Sequence, residues 1–167
     1  MSSAVLGLGA NLGDALGALQ GAVDALAQTA GITVIRSSSV FATDPVGGPE
    51  QPTYVNAIVL IDTSLTPLQL LEQVNAIEVD WHRTREVRWG PRTLDIDIIV
   101  FDDLVSSDER LTLPHPRAAE RGFVLVPWLD ADSEAELLGV PVSALVKGVD
   151  TTGVQQLDPP LILQVHS

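Results

Sequence analysis

No cysteine occurs in the chain, which removes disulfides and thiolate-held metals from consideration. Lysine is nearly absent as well. Lys147 stands alone, and nine basic residues face 22 acidic ones, for a formal net charge of −13. So acidic a surface repels a nucleic-acid backbone, because neutralising phosphates along a strand needs an extended basic stripe. Aromatics make up 4% of residues against 46% hydrophobic, so the core has to be aliphatic. No apolar run approaches the roughly 18 residues of a membrane span, and the first residues lack the basic-then-apolar pattern of a secretion signal. The expectation is a cytoplasmic, single-domain protein (1–167), a monomer with neither nucleic acid nor membrane as partner. A chain of 167 residues is long enough to bury most of its apolar surface.

Where the scarce positive charge sits is informative. Seven of the nine basic residues lie between Arg83 and Arg121, and four of them, Arg83, Arg85, Arg88 and Arg92, fall within ten positions. Asp95 and Asp97 follow at once. A compact arginine cluster suits a small anion, since the planar guanidinium donates two hydrogen bonds to phosphate oxygens. Asp-x-Asp on a strand puts both carboxylates on one face, about 7 Å apart along the backbone. There they suit Mg²⁺, a hard cation that takes oxygen ligands and keeps several waters.

Apolar periodicity supplies the framework. Ala4–Leu8 reads as a strand, closed by Gly7, Gly9 and Gly13. Asp14 caps a helix running to about Thr29 with Leu16, Leu19, Val23 and Leu26 on one side, and Gly31 stops it. Ile32–Phe41 reads as one strand and Tyr54–Asp62 as another, with a Pro/Gly loop at 43–53 between them. Thr66, Pro67 and Gln69 spell the start of a second helix, an N-cap with its capping box. Leu70, Val74, Ile77 and Trp81 form its buried stripe, and Leu94–Phe101 is the last clear strand. Strand–helix–strand–strand–helix–strand is the split βαβ order of an α/β ferredoxin-like fold, an antiparallel sheet with helices packed on it. Beyond residue 104 the pattern weakens to irregular chain, a helix near Phe123–Leu129 and a C-terminal extension over 130–167.

Several of the candidate residues have two readings on residue type alone. Arg83 and Arg85 close a helix, where cations also suit its dipole. Trp89, inside the constrained Trp89-Gly90-Pro91 turn, stacks on a planar ligand or fills core. His115, between Pro114 and Pro116, donates to phosphate, ligates a metal or bonds a carbonyl. Asn56 reads the edge of a heterocycle, with Tyr54 and Phe123 on the ring faces, or is an ordinary strand polar residue. A Gly-Lys-Ser/Thr phosphate loop and a nucleophile elbow are both absent from the sequence. A phosphoryl transfer here therefore has to rest on positioning, arginines and metal.

The run Arg88-Trp89-Gly90-Pro91-Arg92-Thr93-Leu94-Asp95-Ile96-Asp97-Ile98 resembles the signature of the 6-hydroxymethyl-7,8-dihydropterin pyrophosphokinase family of folate biosynthesis. Further blocks in the family's order are Gly9–Asp14, Thr43–Gly47, Gln51-Pro52, Tyr54–Ala57, Leu111–Pro116 and Arg121-Gly122-Phe123. The resemblance implies Mg-dependent transfer of pyrophosphate from ATP to the pterin's hydroxymethyl group, giving AMP. It implies two Mg²⁺ ions on Asp95 and Asp97, with Arg83 and Arg92 completing the catalytic set. For ATP it implies Glu78, Arg83, Arg85, Arg88, Trp89, Arg92, Ile98, Arg110, Thr112, His115 and Arg121, with Arg85 and Arg88 on a segment that closes over the nucleotide. For the pterin it implies Thr43, Pro45, Val46, Gly47, Tyr54, Asn56, Trp89, Asp95 and Phe123. His82, Asn75 and Pro116 depart from the family pattern at positions expected to bear on ATP. The rival classes are a two-metal nuclease or nucleotidyl transferase and a non-catalytic module that binds a small metabolite.

Overall fold

The computed structural model of the chain describes residues 1–11, 14–43, 54–84, 93–157 and 159–165, with the side chains of Arg83, Thr84 and Thr93 left aside. Strand β1 (Ser2–Asn11) buries Ala4, Leu6, Leu8 and Ala10 on one face and turns Val5, Gly7 and Gly9 to the other. Helix α1 (Ala15–Gln28) follows, and the Asp14 carboxylate accepts from the Gly17 amide at 3.0 Å. It thereby satisfies one of the orphan donors of the first turn. Gly31 has φ +89°, a conformation that favours glycine where the chain turns back into the sheet.

The expected strand over 32–41 is instead two, β2 (Ile32–Ser37) and β3 (Phe41–Thr43), laid end to end along β4 (Tyr54–Thr63). The ladder breaks at the buried serines Ser38 and Ser39. Ser38 still donates its amide to the Ile58 carbonyl at 2.8 Å, but the Ile58 amide bonds the Ser38 hydroxyl in place of a backbone carbonyl. Ser39 turns its amide to Asp130 at 2.8 Å. A short hydroxyl that competes with the backbone thus ends the strand that β-branched residues began.

Helix α2 (Pro67–Thr84) starts with the expected reciprocal cap. The Thr66 hydroxyl accepts from the Gln69 amide at 3.2 Å, and the Gln69 side chain accepts from the Thr66 amide at 2.9 Å. Strand β5 (Thr93–Phe101) then pairs antiparallel with β1. Along the sheet the order is β5, β1, β4, then β2 and β3 end to end on the outer edge of β4. This is the split βαβ arrangement expected from the element order.

The stretch after residue 104 is more ordered than its sequence suggests. It holds a hairpin of β6 (Ser106–Asp108) and β7 (Leu111–Leu113), helix α3 (Gly122–Ala131), a two-residue pair of β8 (Glu136–Leu137) and β9 (Val140–Pro141), and the short α4 (Val142–Leu145). The last strand, β10 (Val154–Gln156), adds to β3 at the sheet edge. Helices α1 and α2 cover one sheet face over Leu6, Leu8, Val59 and Leu94. Helix α3 covers part of the other over Ile58 and Ile99, with Trp128 filling that second core at 2% exposure. Each face buries aliphatic area, worth about 25 cal/mol per Å² removed from water.

Candidate active site

Helix α3 packs over Ile58 and Ile99, and register determines which side chains line the rest of that sheet face. Residues paired across an antiparallel sheet point to the same side. Phe41 pairs with Asn56, Asn56 with Gly9, and Gly9 with Asp95, forming one row across four strands. On one side of that row lies Thr43–Tyr54–Asn11, on the other Ile58–Gly7–Asp97. Asn56, Thr43, Tyr54, Asp95 and Asp97 are therefore gathered on one face from three strands separated in sequence.

Gly9 makes this face a trough. A Cβ there would meet only the Asn56 Oδ1 atom, at 3.1 Å, so no side chain stands between Asn56 and Asp95. In the sequence Gly7 and Gly9 stand as residues that close the first strand. Two glycines at i and i+2 inside an apolar strand were the available signal for a bare strip on one sheet face. Asn56 is buried at 9% exposure and its Nδ2 donates to the Thr43 hydroxyl at 2.6 Å, a bond that fixes which way the amide points.

At the opposite end of the row Asp95 and Asp97 stand exposed while Leu94, Ile96 and Ile98 are buried behind them. Among the described residues neither carboxylate is engaged in a side-chain hydrogen bond or ion pair. Partial burial, with the charge of Asp97 beside it, raises the Asp95 carboxyl above its ordinary pKa, and His82 pulls it the other way. No group of three or more His, Asp or Glu that would encage a metal occurs among the described residues. Two hard oxygen donors suit Mg²⁺, whose remaining ligands are waters and substrate phosphates.

Helix α2 braces the aspartate strand from its outer edge. Glu78 accepts the Ile96 amide at 2.9 Å, and His82, one turn later, accepts the Leu94 amide at 3.4 Å. Burial is the main cause that raises the Glu78 carboxyl, ahead of the opposing Ile96 bond and the charges of Asp95 and Asp97. The ladder of β5 with β1 also contains a bulge, where Leu6 pairs with Ile98 and Val5 with Val100. Ile99, the extra residue, offers its carbonyl to the His115 amide at 2.8 Å. A bulge that redirects one peptide thus anchors His115 near Asp97.

The imidazole of His115 accepts from the Arg117 amide at Nδ1, 3.2 Å away, so the neutral ring carries its proton on Nε2. Burial lowers its pKa; Asp97 opposes that change, and Arg121 and Arg117 reinforce it. Arg121 precedes α3 and lies with its guanidinium 5.3 Å from the Phe123 ring centre. One face of Phe123 is thus covered by Arg121, and the residue packs against the second core under α3.

Other candidates sit apart or outside the described residues. Arg110 is exposed at the β6–β7 hairpin and paired with Asp108 at 3.3 Å, while Thr112 is exposed on β7. Ile98 is 3% exposed, its side chain in the aliphatic core. Pro45, Val46, Gly47, Arg85, Arg88, Trp89 and Arg92 lie outside the described residues, as does the side chain of Arg83.

Comparison with known proteins gives the family of the chain. Residues 5–133 match the family described as 7,8-dihydro-6-hydroxymethylpterin-pyrophosphokinase (HPPK). The 2-amino-4-hydroxy-6-hydroxymethyldihydropteridine pyrophosphokinase of Methylorubrum extorquens is 43% identical over 158 residues, covering 95% of this chain and all of that protein. The protein of the same name from Bacillus subtilis is 47% identical over 133 residues, 80% of each. Among solved structures the HPPK-DHPS of Plasmodium falciparum superposes with a TM-score of 0.70 at 15% identity, a likeness that concerns the fold alone. It covers 88% of this chain, which spans 43% of that longer one. The match to the family model, these close relatives and the shared fold together establish that the chain belongs to the 7,8-dihydro-6-hydroxymethylpterin-pyrophosphokinase family of ATP-dependent diphosphotransferases.

Proposed function

We propose that the protein transfers the β,γ-pyrophosphoryl group of ATP to the hydroxymethyl oxygen of 6-hydroxymethyl-7,8-dihydropterin, in a reaction that requires Mg²⁺ at Asp95 and Asp97. A bond forms between the hydroxymethyl oxygen and the β-phosphorus, the bridge to the α-phosphate breaks, AMP leaves and the hydroxyl proton is lost to water. The observation that carries this reading is the row Asn56–Gly9–Asp95. It joins an amide suited to a heterocycle's edge to a carboxylate pair suited to a metal–phosphate, across a floor that only glycine leaves open.

Each end of the row has its task. Asn56, held by Thr43, presents its amide to the donors and acceptors of the pterin, with Tyr54 and Phe123 packing on the ring. Pro45, Val46, Gly47 and Trp89 complete that pocket. Two Mg²⁺ ions, when bound, neutralise triphosphate charge and hold the reacting groups in line. Asp95 and Asp97 hold them, and the α2 brace through Glu78 keeps β5 in place. His115 donates from Nε2 to a phosphate oxygen, joined by Arg83, Arg85, Arg88, Arg92 and Arg121. Ile98 of β5, with Arg110 and Thr112 of the hairpin, receives the nucleotide's other end.

On this reading the partners are two small molecules and the protein acts as a cytoplasmic monomer in folate synthesis. The net charge of −13 argues against a nucleic-acid partner. No helix among the described residues is long and apolar enough to cross a membrane. Initial rates measured against free Mg²⁺ test the proposal. Turnover is expected to vanish on chelation and return with Mg²⁺, and a rate indifferent to Mg²⁺ would refute it.

A further inference from the structure

The family match ends at residue 133, yet the chain beyond it returns to the pterin end of the site. Strand β10 pairs with β3 so that Val154 lies opposite Thr43, Gln155 opposite Ala42 and Gln156 opposite Phe41. The pairing continues past the strand. Leu157 donates to the Val40 carbonyl at 3.1 Å, Val40 donates to the Leu161 carbonyl at 2.7 Å, and Ile162 bridges to Ser39. Leu163, 4% exposed, enters the main core, and Gln164 closes a double hydrogen bond with the Gln20 side chain at 2.9 and 3.0 Å. The same strap braces α3. A Cβ on Gly122, between Arg121 and Phe123, would lie 2.9 Å from the Asp150 carbonyl oxygen.

Strand β3 is three residues long and ends at Thr43, whose hydroxyl holds the Asn56 amide. A strand that short has little pairing of its own, so a second partner matters to where its last residue sits. We propose that the C-terminal strap is a positioning element for the pterin pocket, fixing Thr43 through β3 and the start of α3 through Gly122. This rests on the reading of Thr43, Asn56 and Phe123 as the pterin end. Gln155 is the residue that tests it. Its side chain is exposed, while its amide points the same way as that of Leu157, toward β3, because alternate amides of a strand share a side.

Gln155→Pro removes that donor and bars the ladder there, whereas Gln155→Val keeps both the donor and a strand-favouring residue. Pterin affinity is read by titration in the presence of Mg²⁺ and a non-hydrolysable ATP analogue. The proline variant is expected to bind pterin at least tenfold more weakly, bind the analogue within twofold of wild type and melt cooperatively; the valine variant should match wild type. Unchanged pterin affinity in a folded proline variant, or equal loss of both ligands, would overturn the proposal. Should that variant not fold, the wild-type enzyme decides. Coupling is reciprocal, so saturating pterin has to slow amide exchange at Gln155 and Leu157 several-fold. No slowing would overturn it as well. Wild-type turnover separates the two claims, since an enzyme that makes no pterin pyrophosphate refutes the proposed function and not the strap alone.

Discussion

Replacing Asn56 by alanine separates recognition from folding more cleanly than any other change in the trough. The residue is 9% exposed, and among the described residues its side chain bonds Thr43, from Nδ2 at 2.6 Å. Losing a neutral hydrogen bond whose partner is only half buried costs about 1 kcal/mol of stability. For a chain of this size that is a fall in Tm of roughly 2–4 °C. Binding suffers more. An amide engaging a heterocycle through both its donor and its acceptor leaves two ligand groups unpaired when removed, at about 1–2 kcal/mol each. The sum, about 2–4 kcal/mol, is a loss of pterin affinity of about 30- to 700-fold at about 1.4 kcal/mol per decade. Fluorescence titration of the pterin alongside a thermal melt reads both quantities. Pterin affinity within threefold of wild type, with the small Tm shift present, would refute the assignment of Asn56 as the reader of the ring.

The carboxylates are expected to behave differently. Asp95→Ala and Asp97→Ala should each lower kcat at least 10²-fold while leaving pterin affinity within a few-fold, because the charge they hold matters most in the transition state; comparable loss of both would contradict the metal assignment. Asp95→Asn should raise the Tm of the Mg²⁺-free protein at neutral pH. The folded pKa of Asp95 is raised above its unfolded value of 3.8, so its charge costs stability above the folded pKa and costs nothing below 3.8. The Tm advantage of the variant should therefore shrink as the pH falls through that window, and an advantage independent of pH would refute the cause given. Thr66→Ala removes one half of the capping box of α2 and should cost about 1 kcal/mol, or roughly 2–4 °C in Tm, without altering pterin affinity; a selective loss of pterin binding would contradict the placement of that helix end away from the trough.

The elements that were legible in the sequence are those whose local chemistry and tertiary environment agree. Thr66, Pro67 and Gln69 announce a helix start, and α2 begins there because the same hydrogen bonds form in any context. The aspartate strand was legible because alternate Leu94, Ile96 and Ile98 demand a core behind Asp95 and Asp97. Ile32–Phe41 misled for a reason that sits far away in the chain. Its β-branched residues favour a strand, but Asp130 and the C-terminal segment offer Ser39 and Val40 partners that no local pattern reveals. The bulge at Ile99 was equally hidden, since LDIDIIVF reads as unbroken alternation and a long apolar run alike. The trough itself needed register. That Gly9 faces Asn56 on one side and Asp95 on the other follows from pairing, not from the spacing of those residues in the chain.

The central claim is that one sheet face delivers a pyrophosphoryl group from ATP to a pterin alcohol, and the identity of the nucleotide product tests it most directly. With ATP, Mg²⁺ and 6-hydroxymethyl-7,8-dihydropterin, AMP is expected to accumulate in a one-to-one ratio with the pterin pyrophosphate, and neither should appear when the pterin is withheld. ADP with a pterin monophosphate, or intact ATP beside bound pterin, would contradict it.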